Sequence, residues 1–233
     1  NKMMINQKKT FNIQFNFTKD KQFSTDIILK NDKLQSVNQT KLLGIIMTDQ
    51  LKWDENTKYI VKKANQKMSM LHKFSKFTKN KAHLMHIFQS QVRSVLEYCS
   101  TVWHSSLTKS DSKDIERIQK AAVKLMMGKK YEGYSKSLKF LKLDSLHERR
   151  EKNALKFAKK SVKHENFSNF FPKQSGIHTM RTRNPERFMV NKAHTERYKR
   201  SAVPFLQRLL NQDHMKQKKI FSTLLQVNNG VFT

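Results

Sequence analysis

The fold class is decided by residues 54–76, whose sequence is DENTKYIVKKANQKMSMLHKFSK. Apolar side chains recur there at three- and four-residue steps, the period of one helix face, at Ile60, Ala64, Met68, Leu71 and Phe74. Asp54 stands where an N-cap belongs. On a helical wheel the opposite side carries Lys58, Lys62, Lys73 and Lys76. We therefore expect an amphipathic helix with one apolar and one cationic face.

Further helical patterns follow this one along the chain. They cover residues 83–103, residues 110–128 with Ser110 or Asp111 as N-cap and Gly128 at the C-terminal αL position, residues 134–141, and residues 144–163. The single cysteine, Cys99, falls on the apolar face of the first of these helices, beside Trp103. That position predicts a buried and chemically inert thiol.

The helix at residues 144–163 has a strongly cationic side. Its apolar side holds Leu146, Ala154, Leu155, Phe157, Ala158 and Val162, and the other side holds Arg149, Lys152, Lys156, Lys159, Lys160 and Lys163. Like charges at this spacing repel one another unless an anion lies against them. Two interpretations remain open at about equal weight, a solvated surface and a binding face for a polyanion.

The segments on either side of these helices have other patterns. Residues 10–17 alternate polar and apolar side chains, residues 23–29 can return as a partner strand, and residues 41–47 form a short apolar run. They predict a small antiparallel β meander. Residues 172–200 are polar and rich in arginine, including Arg181 and Arg183, and a short amphipathic helix follows Pro204.

The fold prediction is therefore a mainly α (α+β) chain. Its expected divisions are a β meander at 1–50, a helical bundle at 51–130, a basic helical extension at 131–171 and an Arg-rich, partly irregular tail at 172–233. The low content of glycine (5) and proline (3) agrees with helices.

Charge narrows the classes of partner. The 233 residues include 47 Lys and Arg against 18 Asp and Glu, a formal net charge of +29. The excess is spread through the helical part, which favours a basic surface over a basic arm. Such a chain is expected to bind a polyanion, either nucleic acid or an anionic membrane surface. No apolar run approaches the ~20 residues of a membrane span, and one cysteine excludes an internal disulfide and a Cys-rich zinc site.

Catalytic motifs are missing from the sequence. A metal-dependent nucleotidyl transferase needs at least two carboxylates aimed at one point, and the only directly adjacent pair is Asp54 and Glu55, at a helix start where acids complement the dipole. The sequence contains neither the phosphate-binding pattern Gly-x-x-x-x-Gly-Lys-Ser/Thr nor the dinucleotide-binding pattern Gly-x-Gly-x-x-Gly. His83 and His86 lack a third ligand nearby in sequence, so no metal site is predicted.

Basic residues with interleaved aromatics remain as candidate binding groups. Phosphate contact and stacking on bases are expected of Lys63, Lys67, Lys129, Lys130, Tyr131, Tyr134, Arg149 and Arg150. Such contacts are mainly ionic, so binding should weaken steeply with salt.

The order of several short motifs resembles the carboxyl-terminal part of a reverse transcriptase from non-LTR (LINE-like, Jockey-like) retrotransposons. The motifs are Asn6-Gln7-Lys8-Lys9-Thr10, the stretch 41–45 followed by Leu51-Lys52-Trp53, residues 93–100 and 102–108, residues 115–120, Arg149-Arg150, residues 157–160 and residues 195–199. The resemblance spans nearly the whole chain.

The resemblance implies a palm edge, a thumb-like helical bundle and an extension that grip an RNA/DNA template–primer. It places Leu43 and Gly44 near the primer terminus and gives Lys9, with Lys8 as the adjacent alternative, an auxiliary role as general acid toward the leaving pyrophosphate. It implies Mg²⁺ in the parent polymerase, an upstream palm and fingers of the same polypeptide as partner, no membrane partner, and an intracellular protein acting in the nucleus. Because the chain begins after the carboxylate-bearing motifs, we expect it to bind nucleic acid without catalysing a reaction.

Two other interpretations stay open. One is a stand-alone basic helical nucleic-acid-binding protein derived from a transposable element. The other is a structural or membrane-surface protein, which the basic amphipathic helix at 144–163 allows.

Overall fold

A computed structural model describes residues 5–6, 9–15, 17, 26–29, 32–176 and 185–229, without the side chains of residues 219 and 221–229. The chain is mainly helical, with short β hairpins near its N-terminus, so the predicted fold class is confirmed. The α-helices are α1 (Asp54–Phe77), α2 (Lys81–Ile87), α3 (Ser94–Glu97), α4 (Ser100–Trp103), α5 (Lys109–Met127), α6 (Tyr134–Phe140), α7 (Leu146–Val162), α8 (Glu165–Ser168), α9 (Glu196–Arg200) and α10 (Ala202–Asn229). None of the helices in the described ranges is long and apolar enough to cross a bilayer.

The strands form three separate pairs instead of the single meander expected. They are β1 (Phe11–Asn12), β2 (Ile28–Leu29), β3 (Asp32–Lys33), β4 (Gln35–Ser36), β5 (Gln39–Leu42) and β6 (Ile45–Thr48). β1 pairs with β4 in parallel, whereas β2–β3 and β5–β6 are antiparallel hairpins. The first strand is short because its apolar face finds little cover: Phe11, Phe15 and Phe17 are exposed, and Asn12 is the buried residue. Residues 18–25, which include the start of the expected partner strand at 23–29, lie outside the described residues.

The apolar run at 41–47 is a hairpin and not one strand. Leu43 and Gly44 both have positive φ, +47° and +88°, as the two central residues of a type I′ turn require. Glycine adopts this conformation at no steric cost, whereas leucine pays about 1 kcal/mol or more. Because Leu43, the first residue of the turn, is apolar, the hydrophobicity pattern alone does not predict a turn here.

The chain divides into two compact units, residues 1–99 with 107–145 (unit 1) and residues 100–106 with 146–233 (unit 2). In unit 1, α1 packs against α5, and the hairpin β5–β6 is tied to α1 by Ile46 N, which donates to Asn56 Oδ1 at 3.2 Å. The core positions of α1 are Ile60, Ala64 and Leu71, as the periodicity predicts, whereas Phe74 is exposed.

Helix α5 starts at a capping box. Thr108 is the N-cap, and its hydroxyl accepts from Asp111 N while the Asp111 carboxylate accepts from Thr108 N. The prediction of Ser110 or Asp111 as N-cap is therefore wrong by two or three residues, because Asp111 caps the helix from its third position. The helix ends at Gly128, whose φ is +54°.

The helix expected at residues 83–103 is interrupted. It starts as α2, passes through a π-helical turn at Phe88–Arg93 into α3, and breaks at Tyr98 and Cys99 before α4. Cys99 has a positive φ of +48° and is exposed, so the prediction of a buried thiol is wrong. The helical periodicity holds only as far as Glu97. The left-handed backbone at Cys99 then turns this side chain away from the apolar face.

Unit 2 is built on the packing of α7 against α10. Its core consists of Ala154, Ala158, Phe171, Leu206 and Leu210. Two buried amides of α10 hold the preceding segment: Gln207 donates to Phe170 O at 2.8 Å, and Asn211 exchanges two hydrogen bonds with the backbone of Phe188. The expected irregular tail with a short helix is thus replaced, in its described part, by an anchored segment and a 28-residue helix. Arg181 and Arg183 lie outside the described residues.

Candidate nucleic-acid interface

The tip of the β5–β6 hairpin presents the two residues that the resemblance places near a primer end. Leu43 is 82% exposed, and the tip is held by Tyr98, whose hydroxyl donates to Leu43 O at 3.0 Å. A Cβ on Gly44 would meet Tyr98 Cε1 at 3.3 Å. The turn is therefore exposed but fixed, which suits a contact surface.

Near the tip of the same hairpin, Lys41 of β5 and Lys63 of α1 converge on Tyr59. Lys41 Nζ donates to Tyr59 Oη at 2.7 Å, and the Lys41 and Lys63 ammonium groups lie 4.7 and 4.9 Å from the ring centroid. Hydrogen bonds from these two ammonium groups, with their charges, lower the pKa of the Tyr59 phenol. Two cations at one exposed point favour an anion there.

The predicted cations of α1 share one face of that helix, and all four are exposed. We call this set the α1 stripe: Lys58, Lys62, Lys73 and Lys76. Lys58 forms an ion pair with Glu55 at 2.6 Å, which raises the pKa of Lys58. From Lys58 to Lys76 the stripe runs about 27 Å along the helix.

A second cationic face, on α5, was missed in the sequence. The α5 stripe consists of Lys113, Arg117, Lys120 and Lys124, all exposed and spaced at three- and four-residue steps. Arg117 is paired with Asp114 at 3.2 Å. The same helical-wheel test that found the α1 stripe would have found this one.

The two stripes meet at a groove between α1 and α5. The groove has a volume of about 680 Å³, and its charged lining residues are Lys73, Lys76 and Lys124. Met68, Ala121 and Leu125 form its apolar part, with polar groups from Asn65, Ser69 and His72. No carboxylate lines it. A cationic rim over apolar surface can hold a phosphate and cover part of a sugar or base.

The basic residues predicted to share one face of α7 do so in the structure, and Phe157, predicted for the apolar face, lies beside them. We call it the α7 stripe: Arg149, which is half-buried, and the exposed Lys152, Lys156, Lys159, Lys160 and Lys163. Lys159 at its edge forms an ion pair of 2.8 Å with Asp213 of α10. Phe157, expected on the apolar side, is 43% exposed and borders the stripe.

Arg150 is not a phosphate ligand. It is fully buried, its Nε donates to His104 Nδ1 at 3.2 Å, and its guanidinium carbon lies 5.9 Å from the Trp103 ring centroid. The expected phosphate contact is wrong because the helix turns Arg150 to the same side as Leu146 and Ala154.

His104 belongs to a cluster in which ligand atoms of His104, His147 and Glu151 lie within 4.8 Å of one another, the only such group of three in the described part of the chain. Burial above all, with the nearby charges of Arg150 and His147, lowers the pKa of His104 to about 3. Because His104 Nδ1 accepts from Arg150, the proton of the neutral imidazole stays on Nε2, and neither nitrogen can bind a cation. The cluster therefore suits internal packing better than metal binding.

Two further candidates have structural surroundings. Tyr134 donates to Glu116 Oε1 and accepts from Gln119 at 3.0 Å, and burial with the Glu116 contact raises its pKa, so it supports the α5–α6 packing instead of stacking on a base. Lys9 is exposed, and its backbone N–H donates to Asn6 O at 3.1 Å. Lys8 lies outside the described residues. The auxiliary role of Lys9 stays a prediction.

Comparison of the chain with protein-family models, with curated proteins and with solved structures found no match.

Proposed function

We propose that this chain binds the phosphate backbone of an RNA/DNA template–primer, as the carboxyl-terminal, non-catalytic part of a polymerase like the non-LTR reverse transcriptases. The observation that carries the proposal is the presence of exposed cationic stripes on three helices, α1, α5 and α7. Like charges at i,i+4 cost about 0.2–0.5 kcal/mol per pair in a helix. Lining them up is therefore useful mainly when an anion neutralises them.

The spacing supports a polynucleotide over a small anion. Cations three or four residues apart lie about 4.5–6 Å apart along a helix, and duplex DNA carries one phosphate per 3.4 Å of axis on each strand. A stripe of about 27 Å thus spans several successive phosphates. None of these contacts reads a base, so binding is expected to be independent of sequence.

The experiment compares two triple variants of the full chain. Lys73→Gln, Lys76→Gln and Lys124→Gln remove the charged lining of the groove, and Lys52→Gln, Lys79→Gln and Lys139→Gln remove three exposed charges elsewhere in unit 1. We expect the groove variant to bind a primer–template at least tenfold more weakly and to lose about 2–2.7 from its log–log salt slope. Equal affinities of the two variants would contradict the proposal.

A second comparison separates the polymerase interpretation from a stand-alone nucleic-acid-binding protein. The fixed tip at Leu43 and Gly44 is expected to add contacts at a recessed primer end. Tighter binding to a primer–template junction than to a blunt duplex of equal charge supports the polymerase interpretation. Equal binding supports the stand-alone protein, and preference for anionic vesicles over both would overturn nucleic-acid binding altogether.

A further inference from the structure

Unit 2 contains a groove that none of the three stripes uses. It has a volume of about 520 Å³ and lies between α10 and the segment that carries Arg187 and Val190. From α10, the residues that matter here are Arg208, His214, Met215 and Lys216. No carboxylate lines the groove.

The wall opposite α10 is fixed in place. Asn211 Oδ1 accepts from Phe188 N and Asn211 Nδ2 donates to Phe188 O, both at 2.9 Å. Gln207 Oε1 accepts from Asn191 N at 3.1 Å. The backbone on both sides of Val190 is therefore held to α10, and Arg187 directly precedes one of these anchor points. A site whose backbone is already ordered loses less entropy when it binds a ligand.

The charges around the groove favour an anion with more than one negative charge. Arg187, Arg208 and Lys216 supply three positive charges. Arg208 Nη2 donates to Lys199 O at 2.5 Å, which orients the guanidinium, and its remaining N–H groups are additional donors. The nearby carboxylate of Glu186 is held by Lys173 in an ion pair of 2.5 Å, which lowers the pKa of Glu186.

One residue that lines this groove carries a buried polar atom without a partner in the described part of the chain. His214 Nε2 is buried and has no hydrogen-bond partner among the residues that the structure describes. Most buried polar atoms in proteins have a hydrogen-bond partner, and this unpartnered one belongs to a side chain of the groove wall.

We infer that this groove binds the phosphate monoester of a nucleotide, with the phosphate between Arg187, Arg208 and Lys216 and the base against Val190 and Met215. A single arginine guanidinium can donate two parallel hydrogen bonds to phosphate oxygens, and a volume of 520 Å³ is in the range of small-ligand sites. The phosphate can belong to a free nucleotide or to the 5′ end of a nucleic-acid strand. The site is independent of the proposed stripe binding, because a single nucleotide cannot span a stripe.

The experiment titrates the full chain with three probes: adenosine monophosphate, a 5′-phosphorylated octanucleotide and the same octanucleotide with a 5′-hydroxyl. Each is measured by calorimetry at 150 mM salt on the wild type, on Arg187→Gln and on Lys192→Gln. Lys192 is an exposed cation of the same segment outside the groove lining, so its variant is matched in charge. Thermal unfolding of each variant checks that unit 2 is intact.

We expect adenosine monophosphate to bind at least fivefold more tightly to the wild type and to Lys192→Gln than to Arg187→Gln. Alternatively, the affinity gained from the 5′-phosphate of the octanucleotide, relative to its 5′-hydroxyl form, should be at least fivefold larger in the wild type and in Lys192→Gln than in Arg187→Gln. Binding of the free nucleotide identifies that source, and a 5′-phosphate preference without it identifies the strand end. Absence of both effects, or equal losses in the two variants, overturns the inference. Loss of stripe binding alone leaves these outcomes unchanged, so failures of the two proposals are distinguishable.

Discussion

The α1–α5 face of unit 1 and helix α7 of unit 2 are both rich in lysine and arginine, but they use those charges differently. In unit 1 the stripe cations are all exposed, and three of them border an open groove, although Lys58 and Arg117 form ion pairs with acids of their own helices. In α7 one arginine is fully buried against Trp103 and His104, and one lysine is bound to Asp213. The number of charged residues on a helix therefore does not give the number available to a ligand. Availability depends on where each side chain lies relative to the core.

The largest effect is expected from breaking the buried part of α7. Arg150→Ala removes a fully buried side chain and its hydrogen bond to His104, so we expect a loss of about 3 kcal/mol in the free energy of unfolding. Urea denaturation followed by circular dichroism measures it. Lys156→Ala, on the exposed face of the same helix, should stay within about 0.5 kcal/mol of the wild type. Similar losses in both variants would remove the distinction between the two faces.

Because of the same buried cluster, we expect the free energy of unfolding to depend on pH. The pKa of His104 is lowered to about 3 in the folded chain, against 6.5 for an ordinary histidine. The unfolded chain thus takes up a proton below pH 6.5 that the folded chain refuses, and stability contributed by neutral His104 falls as the pH drops from 6.5 toward 3. Between pH 7 and pH 5 we expect a loss of about 2 kcal/mol, measured by urea denaturation. His104→Gln should flatten this dependence, and an unchanged slope in that variant would show that other groups cause it.

A smaller change in stability is expected from substitutions in the turn of the β5–β6 hairpin of unit 1. Gly44→Ala puts a Cβ at φ +88° and within 3.3 Å of Tyr98 Cε1, and we expect a loss of about 1–2 kcal/mol in the free energy of unfolding. Leu43→Gly, at the neighbouring position with φ +47°, should be neutral or stabilising by up to about 1 kcal/mol. The reverse order of the two variants would contradict the type I′ turn.

The smallest expected effect separates two adjacent lysines of α7. Lys160→Gln should weaken binding to a primer–template by about two- to fourfold, because one phosphate contact is lost. Lys159→Gln should change binding less and cost up to about 0.5 kcal/mol of stability, because this ammonium is engaged by Asp213. Fluorescence anisotropy and urea denaturation measure the two quantities. Equal binding losses would show that the ion pair opens when nucleic acid binds.

Local periodicity predicted the helices well because helix formation depends on neighbouring residues. The core of α1 and the cationic stripes of α1 and α7 follow from spacing alone. The spacing of Arg150, four residues from both Leu146 and Ala154, would also have placed it inward. The tie of Tyr98 to Leu43, the pairing of β1 with β4 and the anchoring of residue 188 by Asn211 join residues far apart in sequence. No local pattern contains that information.

The most direct test of the central claim is the salt dependence of binding between the full chain and a primer–template. If the exposed stripes hold successive phosphates, log affinity should fall linearly with log salt with a slope of about −4 or steeper, which corresponds to five or more neutralised phosphates. A slope flatter than about −1, or no binding at 50 mM salt, would contradict the claim.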